Sequence, residues 1–78
     1  MTALSRPSVT KRTVLLYPDE DGYIIAEVPS LPGCISQGET RQDALSNIQE
    51  AIELYIKTLI EDGEPVPEDH YESVQVEV

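Results

Sequence analysis

The stretch VPSLPGCISQGET, Val28 to Thr40, decides how this chain folds. Pro29 and the Pro32-Gly33 pair break the chain, because proline cannot donate to a β-ladder and glycine accepts turn geometry. Cys34-Ile35-Ser36-Gln37-Gly38 then fits a short strand, and Thr40 opens a long helical pattern. The alternative is a catalytic loop built around Cys34, the only cysteine. A nucleophilic thiol needs a base and an electropositive setting. The one histidine, His70, sits far away in the acidic run Glu68-Asp69-His70, and the nearest cation in sequence is Arg41. Cysteine otherwise behaves as a small buried hydrophobe. Cys34 is therefore expected at the start of a strand.

Working outward, Thr13-Val14-Leu15-Leu16-Tyr17 and Tyr23-Ile24-Ile25-Ala26-Glu27-Val28 are rich in strand formers. Pro18-Asp19-Glu20-Asp21-Gly22 between them has the composition of a tight turn, so residues 13–28 read as an antiparallel hairpin. Downstream, Thr40 is a natural N-cap, with Asp43 placed to answer it and to meet the positive end of the helix dipole. Ala44, Leu45, Ile48, Ala51, Ile52, Tyr55, Ile56 and Leu59 gather on one face of a 3.6-residue wheel. Gly63, followed by Pro65 and Pro67, closes the helix. Leu54 falls opposite the apolar stripe and is a candidate contact for another chain. Finally, Ser73-Val74-Gln75-Val76-Glu77-Val78 alternates cleanly and is expected as a fourth strand. The order β-β-β-α-β specifies an α+β domain, one helix packed on a small sheet.

Seventy-eight residues hold one core. A chain of this size buries roughly 60% of its unfolded surface, which makes it marginal alone. One cysteine excludes an intramolecular disulfide, and one cysteine with one histidine cannot close a zinc site. Self-association, as a dimer or tetramer, is the remaining device. The polar, basic start MTALSRPSVTK reads as a flexible arm over residues 1–11, leaving a single domain over 12–78. With no apolar export segment, a reduced thiol and no run near ~18 apolar residues, the expected location is the cytoplasm, away from membranes.

Charge narrows the partner. Fifteen acidic residues against five basic ones give a net charge of −10, and three of the five basic residues, Arg6, Lys11 and Arg12, lie near the N-terminus. Such a body repels phosphate backbones, so direct nucleic-acid binding is not expected. A basic protein is the favoured partner. No catalytic constellation is legible. Asp19-Glu20-Asp21 lacks the spacing of a calcium loop, and Glu50 and Glu53 lie on the polar helix face, away from a sheet-borne Glu27. No cofactor or metal site is expected. Sheet edges and one sheet face without a helix remain, and both invite another chain.

Asp21-Gly22-Tyr23, Pro29-x-x-Pro32-Gly33-Cys34, Gly38-x-Thr40, Asp43-Ala44 and Asp62-Gly63-x-x-x-Pro67, in this order and spacing, resemble the HicB family of antitoxins over about Val14 to Pro67. The resemblance implies a truncated ribonuclease-H-like fold and a non-enzymatic protein. It also implies a partner, a small basic HicA-type ribonuclease toxin whose active site the antitoxin masks. Many members continue into an operator-binding module. None follows Val78, so operator binding is not expected of this chain. The surface residues singled out for the partner are Asp19, Glu20, Asp21, Tyr23, Glu27 and Leu54. The competing readings are an oligomeric interaction or ligand-binding module without a toxin, and a metal-dependent nuclease on the same frame.

Overall fold

A computed structural model of the chain describes residues 11–78. The arm expected over residues 1–11 therefore lies, apart from Lys11, outside the described residues. Three antiparallel strands, β1 (Leu15–Pro18), β2 (Ile24–Glu27) and β3 (Ile35–Gly38), form a sheet in the order β1-β2-β3. One helix, α1 (Arg41–Glu61), follows and packs on β3 and β2. The fold is α+β, as the residue pattern requires.

The hairpin turn is closed from both backbone and side chain. Asp19 donates its N–H to the Tyr23 carbonyl at 2.9 Å, and its Oδ1 accepts from the Asp21 and Tyr23 amides at 2.8 and 2.9 Å. Gly22 takes a φ of 91°, the left-handed region that favours glycine. The register pairs Leu16 with Ala26 and Ala26 with Ser36, so these residues face the helix. Leu15, Tyr17, Ile25, Glu27, Ile35 and Gln37 alternate onto the other face.

The segment Val28–Cys34 does more than break the chain. Leu31 donates to the Val28 carbonyl and Cys34 to the Leu31 carbonyl, while Val28 N–H reaches the Cys34 carbonyl at 3.1 Å. Two successive turns thereby drop Leu31 into the core beside Ala26, Val28, Cys34, Ala44 and Ile48. Cys34 is buried, and that burial pushes its thiol pKa up, the opposite of what a nucleophile needs.

Helix α1 begins where Thr40 places it: Thr40 Oγ1 accepts the Asp43 N–H at 3.0 Å. It ends in a Schellman arrangement past Asp62. The Gly63 and Glu64 amides reach back to the Ile60 and Leu59 carbonyls, with Gly63 at φ 72°. Two side-chain bonds tie the helix to the sheet layer, Asn47 Nδ2 to the Gln37 carbonyl and the Tyr55 hydroxyl to the Pro32 carbonyl, each 2.8 Å. Thr40→Ala removes the N-cap acceptor and is expected to cost about 1 kcal/mol. Thermal unfolding followed by circular dichroism should show a fall of about 4–8 °C.

One expectation is corrected. Ser73–Val78 does not form a fourth strand in the isolated chain; no regular structure follows Gly63. A strand exists only where an edge accepts its backbone, and here the segment lies on no edge. Val74 and Val76 are left 68% and 75% exposed.

Candidate interaction surface

Because α1 covers one face of the sheet, the other is bare. It carries Tyr17 on β1 and Glu27 at the end of the central strand β2, with the Tyr17 hydroxyl donating to Glu27 Oε1 at 2.9 Å. That bond, together with partial burial and the Glu27 charge, raises the Tyr17 pKa above its ordinary value. Leu15 and Ile35 flank Glu27 in register and are exposed by 43% and 53%. An apolar sheet face around a single hydrogen-bonded carboxylate is suited to meeting a partner with apolar and cationic groups.

The alternation places Tyr23 on the same side of β2 as Glu27, and Tyr23 is exposed beside the hairpin tip. Glu20 and Asp21 are exposed at that tip. Asp19 differs, since its carboxylate is engaged by its own turn. Leu54 stands apart, on the outer flank of α1 and 65% exposed. It shares a shallow groove of about 360 Å³ with Ile35, Ala51 and Leu59 at the β3 edge. The singled-out residues therefore fall into a connected set, Tyr23 and Glu27 with the tip, and a separate position at Leu54. Tyr17, Leu15 and Ile35 belong to the bare face and are missed by charge and motif alone. Alternation through the hairpin, counted from Glu27, would have found them.

Among the described residues no three His, Cys, Asp or Glu side chains gather into a metal-binding group, and no helix is long and apolar enough to cross a membrane. Glu27 points away from the helix layer that carries Glu50 and Glu53, both exposed.

The family described as HicB-like antitoxin of bacterial toxin–antitoxin systems matches residues 13–77. The chain belongs to this HicB-like antitoxin family. Among its relatives, a UPF0150 protein of Thermoplasma acidophilum is 48% identical over 66 residues, 85% of this chain and 96% of its own length. A UPF0150 protein of Synechocystis is 53% identical over 57 residues, covering 73% and 72% of the two chains. One of Archaeoglobus fulgidus is 45% identical over 56 residues, covering 69% and 81%. A HicB-like antitoxin is one component of a toxin–antitoxin system, so the family implies a toxin partner.

A second polar cluster in this HicB-like chain lies at the head of β1. Asp69 Oδ2 accepts from the Thr13 amide at 3.1 Å and from Thr13 Oγ1 at 2.8 Å, and Arg12 Nη1 donates to Ser30 Oγ at 3.1 Å. The Thr13 hydroxyl, above all, holds the Asp69 carboxyl below its ordinary pKa; Ser30, the Thr13 amide and the Arg12 charge add to it against partial burial. A lowered folded-state pKa gives stability that is present above the unfolded carboxyl pKa and lost as pH falls through the folded value. The clasp should therefore hold at neutral pH and release in acid. Followed by NMR, the Thr13 amide shift is expected to titrate with a midpoint below about 3.9, the value of a free aspartate. A midpoint at or above that value would sink the assignment.

Proposed function

We propose that this chain neutralises a small, basic HicA-type mRNA-cleaving toxin by laying its bare sheet face and hairpin tip over the toxin's active site, in the cytoplasm. It acts as a binding protein on a truncated ribonuclease-H-like frame, without catalysis or cofactor. The observation that carries this reading is the helix-free face, where exposed Leu15, Tyr17 and Ile35 surround Glu27 on a body of net charge −10. Apolar cover excludes water from the toxin's site, and the acidic field speeds encounter with a basic partner. The remaining candidates extend the same contact: Tyr23, Glu20 and Asp21 from the tip, Asp19 by shaping it, and Leu54 from the helix flank.

The test is capture followed by inhibition. With this protein as bait in lysate of its own host, a small basic protein should be retained at low salt and weakened at high salt. Adding the antitoxin back to that protein should stop its cleavage of RNA in proportion to the complex formed. Cleavage that continues at saturating antitoxin would refute the reading.

A further inference from the structure

We propose that the Tyr17–Glu27 pair is a guanidinium-recognition site, and that the partner covering the bare sheet face seats an arginine on it. That the arginine belongs to a toxin rests on the reading above; the site itself belongs to this chain alone.

Glu27 carries a charge that its own fold leaves unmatched. It ends the central strand β2, half-buried, with Leu15 and Ile35 in register on either side. A carboxylate among apolar neighbours is costly to desolvate unless charge and hydrogen bonds meet it there. Among the described residues no lysine or arginine pairs with it, and its one side-chain partner is the Tyr17 hydroxyl at 2.9 Å. The other carboxylates differ. Asp19 is held by its own turn amides and Asp69 by Thr13, while Glu20, Asp21, Glu50 and Glu53 stand exposed to water.

The bond to Tyr17 fixes what the site can accept. Tyr17 has a single hydroxyl proton and commits it to Glu27. That same bond, above all, raises the Tyr17 pKa, so the proton stays in place at neutral pH. What remains is acceptors alone: the second carboxylate oxygen, and spare lone pairs on two oxygens 2.9 Å apart. A ligand for them has to bring several donors and a positive charge. Guanidinium offers five N–H donors in a planar fork, which suits a pair of neighbouring oxygens. Ammonium brings charge too, but as a compact ion that holds its water strongly.

The surroundings decide between the two cations. Leu15, Ile35 and the Tyr17 ring are exposed and share the face with Glu27. A weakly hydrated plane stacks on such cover, with a cation–π contribution from the tyrosine ring. The net charge of −10 draws basic partners toward the body, and at Glu27 one side chain of theirs finds both charge and apolar cover.

The test needs no toxin. The full chain, isotope-labelled, is titrated with two capped tripeptides, one with arginine between isoleucines and one with lysine in its place. NMR follows the Tyr17 and Glu27 amides. The arginine peptide should bind about tenfold more tightly than the lysine peptide. Glu27→Gln keeps the shape, removes the charge and should weaken the arginine peptide by about tenfold or more. Tyr17→Phe keeps the ring, removes the second oxygen and should narrow the arginine preference to about threefold. Glu50→Gln, exposed on the helix, should change neither value. Equal binding of the two peptides, no response at Tyr17 and Glu27 to either, or arginine binding untouched by Glu27→Gln would each overturn the site. If the site fails while the antitoxin still stops the toxin, the toxin meets this face with another group. If the peptides behave as expected and no toxin is captured, the guanidinium site stands and the toxin reading falls.

Discussion

Gly38→Ala is expected to destabilise this protein by about 3 kcal/mol or more, at the upper end of what overpacking a core does. Gly38 ends β3 and is buried against the first turn of α1. A Cβ built there would sit 2.4 Å from the Ala44 nitrogen and 2.7 Å from the Asp43 carbonyl carbon. Those are backbone atoms of a capped helix, so no side-chain rotation can make room. The helix start must move, which disturbs the Thr40 cap, the Asn47 bond to β3 and the seating of Ala44 in the core. Thermal unfolding should fall by about 12 °C or more for a domain of this size. Gly33→Ala supplies the contrast. Gly33 has a φ of 82° but nothing within 4 Å of the added carbon, so only the left-handed backbone penalty of about 1–2 kcal/mol applies. Equal losses for the two variants would mean that the close approach at Gly38 is not what the fold depends on.

The second large effect is on binding. Glu27→Lys should weaken inhibition of a basic toxin by about 100-fold, since reversing a charge at a desolvated contact typically costs 2–5 kcal/mol. Glu27 lies on the central strand of the bare face, between Leu15 and Ile35 in register and bonded to Tyr17. Glu50→Lys makes the same change in net charge on an exposed helix position. It should alter the association rate and its salt dependence while leaving the complex intact. Inhibition titrations of both variants against the captured toxin separate the possibilities. Equal losses would mean that overall charge, and not the sheet face, carries recognition. An unaffected Glu27→Lys would move the toxin contact elsewhere, with the Leu54 groove at the β3 edge the next surface to mutate.

Much of this protein is decided locally and is legible along the chain. The Asp19–Gly22 turn, the Thr40 cap and the Gly63 terminus are set by side chains bonding to their own neighbouring backbone, so composition and spacing are enough to locate them. The stripe from Ala44 to Leu59 reflects the helix period in the same way. Family membership is legible too, because the motifs from Asp21 to Pro67 keep their order and spacing.

The rest depends on contacts between residues far apart in sequence. Leu31 sits between two prolines in a segment that reads as a break, yet two turns carry it into the core. The pairing of Tyr17 with Glu27, and their place on a face that no helix covers, follows from strand register and from which side α1 takes. The clasp of Asp69 to Thr13 joins residues 56 positions apart, a contact that no local pattern encodes. Ser73–Val78 marks the boundary: its alternation is a local property and names a strand, but a strand forms only where an edge accepts its backbone, and here the segment takes no place in the three-stranded sheet.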